Sequence, residues 1–263
     1  MEKLIDHHIK TVYLKNSPLS KFQFAYQNNK STLDALHSLV GKIESSISTK
    51  EISLAAFLDI EGAFDNASHC SMKNAMKKHG FDKCTINWIR TMLKTRKITA
   101  LFGGISQTRK TIKGCPQGGI LSPVLWSLTI DNLLTSLTER GFEVVGFADD
   151  VVIIIRGKFD SVISNRMQSA LNHTLKWCRK EGLNINPSKT IIIPFTRKRK
   201  YTISKLQFGG IEIKTSTETK FLGVIFDQKL NWHVHIEQTI KKPLALYGYA
   251  AKQLEKIGVS NPT

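Results

Sequence analysis

The sequence predicts an α+β fold in which helices and mostly antiparallel strands alternate along the chain. Three observations lead to this prediction. A capping box from Ser31 to Asp34 opens a stretch with apolar residues at helical spacing. Ile52 to Ile60 is a short apolar run of the kind that forms a buried strand. Glu143 to Phe147 and Val151 to Ile155 are apolar runs separated by three residues, as in a tight hairpin.

Capping and turn residues predict the remaining elements. Two helices are expected at about residues 68–79 and 82–94, followed by a hairpin at Gly103-Gly104, whose glycines tolerate a positive φ. Ser122 is predicted to cap the next helix, because Pro123 would then occupy its first position.

The second half of the chain continues the alternation of helix and strand. Residues 160–181 form a predicted helix closed by Gly182, and β-branched segments follow, including Thr190 to Ile193 and Phe221 to Phe226. The sequence contains no evident repeat, low-complexity stretch or linker. A length of 263 residues with 41% apolar residues is enough to bury an ordinary core.

The charge balance indicates a polyanionic partner. Lys and Arg total 38 against 21 Asp and Glu, which gives a formal net charge of +17. Nucleic acid is favoured over a membrane surface because the basic residues recur along the whole chain. One cluster is either a solvated face or a track for a phosphate backbone: Lys94, Arg96, Lys97, Arg109, Lys110 and Lys113.

Cysteine usage and hydropathy indicate an intracellular protein without a membrane segment. The four cysteines form no C-x-x-C pair, and His233 and His235 have no nearby cysteine that would complete a zinc site. The N-terminus has no apolar core of signal-peptide length, and Val151 to Ile155 is too short to span a bilayer. The basic run Arg197 to Lys200 fits either a nuclear-localisation patch or a loop lying on nucleic acid.

Carboxylates stand at the ends of two predicted strands. Asp149 and Asp150 occupy the tip of a hairpin, where mutual repulsion is tolerated if a cation binds, although a solvated turn is the simpler alternative. Asp59 also ends a buried strand, so the two strands can share a metal ion. Gln117 and Gly118, before a helix start, offer a backbone that a base pair or phosphate could approach, with ordinary helix initiation as the alternative.

Six segments resemble motifs of reverse transcriptases, in the order and spacing of that family. Phe57 to Asp65 resembles the first catalytic motif, and Phe147 to Asp150 the two-aspartate hairpin. The other segments resemble the glycine-glutamine motif, the lysine-bearing motif, the primer-grip strand pair and the finger segment of non-LTR elements: Gly114 to Leu125, Gly182 to Thr190, Phe221 to Asp227 and Gln23 to Thr32. The chain thus resembles the reverse transcriptase domain of a non-LTR (LINE-like) retrotransposon, truncated at both ends.

The resemblance implies roles for individual residues. Asp59 and Asp149 would hold two Mg²⁺ ions, which Mn²⁺ can replace, with Asp150 in support. The remaining roles are a further metal ligand at the Ile60 carbonyl, a steric gate against ribonucleotides at Phe64, nascent base-pair contacts at Gln117 and Gly118, and a triphosphate contact at Lys189. Without the motif, Phe64 would be interpreted as a core residue and Lys189 as a solvated turn residue.

The resemblance also implies an architecture and a reaction. A right-hand polymerase palm with a ferredoxin-like antiparallel sheet is expected at residues 53–227, with a finger insertion at about 70–113. Residues 1–52 would be partial fingers, and 228–263 the start of a thumb helix near 233–256. The expected reaction adds deoxynucleoside triphosphates to a DNA primer 3′-hydroxyl on an RNA template, by two-metal phosphoryl transfer in the nucleus.

The sequence departs from the family in its fingers. An earlier segment with a triphosphate-gripping arginine is missing, and Tyr26-Gln27 stands where many relatives have Phe-Arg, so weak nucleotide binding is expected. The alternatives are a catalytically inactive nucleic-acid-binding remnant, an RNA-dependent RNA polymerase, which Phe64 disfavours, and a structural protein whose acids are only turn residues.

Overall fold

The computed structural model describes residues 1–241 of the chain. Its helices are α1 (Glu2–His8), α2 (Leu14–Asn16), α3 (Thr32–Ser48), α4 (Ala63–Asn66), α5 (His69–Lys78), α6 (Lys83–Thr95), α7 (Ser122–Glu139) and α8 (Asp160–Glu181). A π-helix, Ile9–Tyr13, joins α1 to α2. A helix also starts at residue 233 and continues to 241; the rest of the predicted thumb helix lies outside the described residues.

The strands form one central sheet and three hairpins. They are β1 (Ile52–Asp59), β2 (Lys97–Phe102), β3 (Ile105–Lys110), β4 (Glu143–Phe147), β5 (Asp150–Gly157), β6 (Ile191–Phe195), β7 (Gln207–Phe208), β8 (Ile211–Glu212), β9 (Lys214–Thr215), β10 (Glu218–Phe221) and β11 (Val224–Asp227). The elements expected between residues 31 and 182 therefore form close to the predicted positions.

The central sheet has the strand order β4-β5-β1-β6-β9. All its neighbouring strands are antiparallel except β6 and β9, which are parallel. β1, β4, β5 and β6, with α7 and α8 in the two crossovers, form the β-α-β-β-α-β arrangement of a ferredoxin-like fold. The predicted α+β class with an antiparallel sheet is confirmed.

The two faces of this sheet are buried against different partners. Leu54, Leu58 and Ile153 point into the larger core, which α5, α7 and α8 cover. Phe57 and Val152, one residue out of phase, point into a smaller core with α3 and the β10–β11 hairpin. Because both faces are buried, the central strands are almost continuously apolar, which is why β1 and β5 could be recognised in the sequence.

The N-terminal segment is fixed to the same scaffold. The Ser20 amide donates to Asp131 of α7, and the ring of His79, the C-cap residue of α5, lies 3.4 Å from the same carboxylate. The backbone amide of Gly146 in β4 donates to the Phe22 carbonyl at 2.8 Å. A Cβ at Gly146 would come within 2.9 Å of the Leu134 side chain, which would have to shift to make room for it. Residues 22–24 therefore lie beside β4, close to its turn.

One local prediction was wrong. Leu121, and not Ser122, is the N-cap of α7, because residues 116–122 already wind through consecutive turns and leave no extended capping residue. The strand pair that the resemblance implied at Phe221 to Asp227 is present as β10 and β11, since Leu222 (φ 47°) and Gly223 (φ 86°) make a tight turn between them.

Within residues 1–241, no helix combines the length and apolar character needed to cross a bilayer.

Candidate active site

Strand register brings two of the predicted carboxylates together. Asp59, the last residue of β1, is the direct cross-strand partner of Asp150, the first residue of β5. Directly paired residues of antiparallel strands point to the same face of a sheet, so both side chains lie on the face that carries Phe57 and the β10–β11 hairpin. Asp149 precedes Asp150 in the turn, after Ala148 in a left-handed conformation (φ 56°).

The electrostatics of this group favour a bound cation. Partial removal from water, together with the charges of Asp149 and Asp59, raises the pKa of Asp150 to about 6. The Asp150 residue nevertheless remains exposed, so an ion can reach its carboxyl. A divalent cation would relieve the repulsion that raises this pKa.

The donor set fits a hard divalent ion. Asp59, Asp149 and Asp150 supply only carboxylate oxygens, which are the ligands that Mg²⁺ prefers. Among the described residues, no three acidic, His or Cys side chains are yet gathered closely enough to hold an ion. The side chains would therefore need to converge by rotamer changes, while the strand register already supplies the backbone placement.

A turn after α8 places Lys189 near Asp59. The Asn186 amide donates to the Asp59 carbonyl at 2.9 Å, and Ile60 forms an isolated bridge with Ile185. The turn is closed by the Lys189 amide, which donates to the Asn186 carbonyl at 3.3 Å. Lys189 Nζ then lies 4.0 Å from Asp59 Oδ2, and its side chain is 69% exposed. An exposed ammonium at this distance is available to an anionic ligand.

Phe64 lies in α4, directly after the Asp59 strand. Gly62 adopts φ 52° and starts this short helix. The Phe64 ring is half-buried, 5.8 Å from the Trp126 ring and 6.4 Å from the Tyr26 ring. Its position fits both a core contact and a surface that limits the space next to the acids.

The glycine-rich loop before α7 is hydrogen-bonded to α4, the short helix that contains Phe64. The Cys115 amide donates to the Phe64 carbonyl at 2.8 Å, and Gln117 Nε2 donates to Asp65 Oδ2 at 3.2 Å. At Gly114 (φ 78°) a Cβ would meet the Asp65 carbonyl oxygen at 2.5 Å, whereas a Cβ at Gly118 (φ 82°) would meet nothing within 4 Å. Gly114 therefore secures the loop, and Gly118 leaves backbone open to a ligand.

Tyr26 is a site residue that the sequence reasoning treated only as a departure from the family. Its backbone is left-handed (φ 58°), and its side chain is 50% exposed near Phe64. Partial burial, and then the charge of Asp149, raise the pKa of its hydroxyl. Gln27 turns away, since its Nε2 donates to the Gln23 carbonyl at 2.6 Å. The finger motif connected Tyr26 with nucleotide binding, but its place near Asp149 depends on the tertiary packing of residues 22–24 on β4.

Basic residues border the site on the side of the glycine-rich loop. A cavity of about 460 Å³ there is lined by Arg96 and Lys113 together with Gln117. The β2–β3 hairpin follows, with Lys97, Arg109 and Lys110 among strand residues that are all exposed. A larger cavity, about 780 Å³, lies elsewhere, between the end of α3 and residues 196–198. None of the predicted catalytic acids lines this cavity, so we assign no catalytic role to it.

Comparisons with known proteins agree with these motifs. Residues 1–226 match a family described as reverse transcriptase (RNA-dependent DNA polymerase). The chain is 25% identical to the probable RNA-directed DNA polymerase from transposon BS of Drosophila melanogaster, over 92% of this chain and 27% of that protein. It is 28% identical to the RNA-directed DNA polymerase from mobile element jockey of Drosophila funebris, over 90% of this chain and 26% of that protein.

A third relative belongs to another insect element. The chain is 28% identical to the Pol polyprotein from type-1 retrotransposable element R1 of Bradysia coprophila, over 92% of this chain and 24% of that protein. The chain thus spans about a quarter of the length of these curated relatives.

Solved structures share the fold. Telomerase from Candida tropicalis, in complex with a fragment of telomeric RNA, matches with a TM-score of 0.59 at 12% identity, over 88% of this chain and 36% of that chain. An apo telomerase from the same yeast, truncated from its C-terminal domain, matches with a TM-score of 0.57 at 13% identity, over 88% of this chain and 43% of that chain.

Proposed function

The chain belongs to the family of reverse transcriptases (RNA-dependent DNA polymerases), and we propose that it extends a DNA primer 3′-hydroxyl with deoxynucleotides on an RNA template. The observation that carries this proposal is the pairing of Asp59 with Asp150 beside Asp149. Burial of Asp150, and then repulsion by Asp149 and Asp59, raise the pKa of its carboxyl, and a bound divalent cation would offset the cost of the charged form.

We assign the metal site to Asp59, Asp149 and Asp150, with the Ile60 carbonyl as a further oxygen. The family generally uses divalent metal ions, and we propose two Mg²⁺, with Mn²⁺ as a substitute. When bound, such ions activate the attacking hydroxyl and neutralise charge on the leaving oxygen. The protein's part is to hold the carboxylates at the ends of paired strands in a fixed register.

The residues around the acids would select and orient the nucleotide. We propose that Phe64 limits the space at the sugar, and that its contact with Trp126 keeps the ring in place. Gln117 and Gly118 would contact the nascent base pair, and Lys189 the triphosphate. Tyr26 would border the nucleotide from the opposite side, in the place where many relatives carry Phe.

The proposed division into subdomains follows the site. Residues 53–227 would form the palm, with a finger insertion at about 70–113. Residues 1–52 would contribute fingers, and 228–263 would begin the thumb. The β10–β11 hairpin is a candidate primer grip, because Phe221 contacts Phe57 on the same sheet face as Asp59 (ring centroids 5.6 Å apart). A nuclear location is proposed on the basis of the basic run Arg197 to Lys200 and the DNA primer.

Primer extension on an RNA template with deoxynucleotides and Mg²⁺ tests the function. We expect extension by the wild-type chain and loss of at least about 100-fold in the Asp149→Ala, Asp150→Ala double variant. Asp6→Ala, which removes a carboxylate of α1 that pairs with Lys10, is the control and should extend normally. A double variant as active as this control would refute the assignment. A folded wild-type chain that binds template–primer without extending it would contradict the activity.

A further inference from the structure

A groove lined mainly by polar and charged residues lies on the helical layer, away from the sheet face that carries the acids. It has a volume of about 570 Å³, runs between α7 and α8, and reaches the end of α5. A second hollow of about 420 Å³ continues it and shares Arg140, His173 and Lys176. α7 and α8 pack against the larger core with their opposite sides. The groove is therefore a surface separate from the proposed polymerase site.

The groove is built from residues at four-residue spacing. On α8 the series is Gln168, Asn172, Lys176 and Lys180, and on α7 it is Asn132, Ser136 and Arg140. Residues four apart lie on one face of a helix, so each series forms a stripe along the groove. The α8 stripe extends about 18 Å at 1.5 Å per residue, which is long enough to follow several successive phosphates of one strand.

The groove has a strong excess of positive charge. Lys78, Arg140, Lys176 and Lys180 are exposed, and among residues 1–241 none of them is in an ion pair. Glu181, which is largely buried, is the single carboxylate among the described lining residues. Helix C-termini favour cations, which accounts for Lys78 and Lys180 without any ligand. Lys176 lies one turn earlier on α8, where this preference has faded.

Hydrogen-bonding groups accompany these cations. His173 Nε2 lies 2.8 Å from Ser136 Oγ. Burial, followed by the charges of Arg140 and Lys176, lowers the pKa of His173. Both cations therefore lie close enough to the His173 ring to act on it electrostatically. Trp177 is 8% exposed, and its indole N–H finds no acceptor among the described residues. Amides, hydroxyls and cations together are the donors that phosphate and sugar oxygens accept from.

We propose that this groove binds the sugar-phosphate backbone of a second stretch of nucleic acid, outside the duplex held at Asp59 and Asp150. A protein partner would require exposed apolar or aromatic anchors, since such residues dominate protein interfaces. The aromatic side chain that lines the groove, Trp177, is already buried. A linear stripe of donors and unpaired cations fits a strand of regularly spaced phosphates better.

Fluorescence anisotropy with a labelled single-stranded RNA of about 20 nucleotides, followed over a salt series, tests the proposal. The groove variant combines Arg140→Gln, Lys176→Gln and Lys180→Gln. The matched control combines Lys3→Gln, Lys15→Gln and Lys83→Gln, which removes the same charge from exposed positions outside the groove. Circular dichroism and thermal unfolding establish that both variants are folded.

We expect the groove variant to bind RNA about tenfold or more weakly at about 0.1 M salt, with the slope of log K against log salt reduced by about 2. The control should lose less than about threefold, from net charge alone. Equal losses in the two variants, or unchanged binding by the groove variant, would overturn the proposal. Retained RNA binding with lost affinity for a poly-glutamate peptide would overturn it in favour of an acidic protein partner. The readout is binding, so it is independent of whether the chain extends primers.

Discussion

At the scale of single residues, the acids at the end of the central strands are the most consequential feature. Strand register holds Asp59 and Asp150 next to each other, and the turn before β5 places Asp149 beside them. This placement has an energetic cost without a cation, because Asp150 is partly removed from water and the neighbouring carboxylates repel its charge. The acids should therefore lower the free energy of unfolding of the free protein, and a bound cation should restore it. Unfolding experiments can measure both effects.

Asp150→Asn should stabilise the protein above pH 6. The pKa of Asp150 is raised in the folded state, so its penalty is absent below about pH 4 and complete above about pH 6. Because the residue is exposed and solvent screens it, we expect a gain in the free energy of unfolding of about 1 kcal/mol at pH 8. Urea unfolding at pH 4 and pH 8 measures the difference, which should vanish at the lower pH.

Magnesium supplies the control for this experiment. Millimolar Mg²⁺ should raise the unfolding midpoint of the wild-type chain at pH 8, and it should act much less on Asp150→Asn. A variant that is stabilised equally at both pH values, or that responds to Mg²⁺ like the wild type, would contradict the proposed metal site.

Phe64→Ala should weaken discrimination against ribonucleotides. If the ring limits the space at the sugar, the ratio of kcat/KM for deoxynucleotides to that for ribonucleotides should fall about tenfold or more. Phe64→Leu keeps most of the bulk and should keep most of the discrimination. An unchanged ratio in Phe64→Ala would leave Phe64 as a packing residue of Trp126, whose loss reduces stability but not sugar choice.

At the scale of elements, two short segments control the site: the turn after β1 and the glycine-rich loop before α7. They are joined by hydrogen bonds from Gly114 and Cys115 to Ala67 and Phe64, at 2.7 and 2.8 Å. The loop therefore cannot move without disturbing the turn that holds Phe64. Because of this coupling, a substitution at Gly114 should affect stability more than a substitution at Gly118.

Gly114→Ala and Gly118→Ala form a matched pair that tests this inequality. Both residues have a positive φ, so both substitutions add backbone strain of about 1 kcal/mol. At Gly114 the added Cβ also meets the Asp65 carbonyl oxygen at 2.5 Å, whereas at Gly118 it meets open space. We expect Gly114→Ala to lower the free energy of unfolding by about 2 kcal/mol more than Gly118→Ala. Equal losses would show that the loop is not fixed to the turn.

Elements were predicted well wherever local signals determine them. The Ser31–Asp34 capping box, the Gly182 helix end and the apolar β1 run each specify structure within a few residues. The start of α7 was misplaced because the preceding turns, set by contacts of the loop with α4, left Ser122 already inside the helix.

At the scale of the whole molecule, the described residues form a central sheet that is buried on both faces, and the β2–β3 hairpin is exposed to solvent. All residues of β2 and β3 are exposed, including Leu101 and Phe102. A hairpin without buried contacts contributes little to folding. It is available to a partner, which we propose is nucleic acid.

Replacing residues 97–110 by Gly-Gly should separate folding from binding. The Thr111 amide already donates to the Arg96 carbonyl at 3.1 Å, so the cut ends are adjacent and a short turn can join them. We expect a change in the free energy of unfolding within about 0.5 kcal/mol. RNA affinity measured by anisotropy should fall several-fold, because the deletion removes Lys97, Arg109 and Lys110. A loss of stability above about 2 kcal/mol would show that the hairpin packs on the core.

The sequence by itself determined the α+β class, most elements and the family resemblance, and it singled out the candidate catalytic acids. These follow from local periodicity, caps and short motifs, which depend on neighbouring residues only. Only the tertiary structure decided the cross-strand register of Asp59 and Asp150, the place of Tyr26 beside Asp149, the junction of the Gly114 loop with α4, and the groove between α7 and α8. Each joins residues far apart in the chain, and such contacts are set by how both sheet faces are buried, which no local pattern encodes.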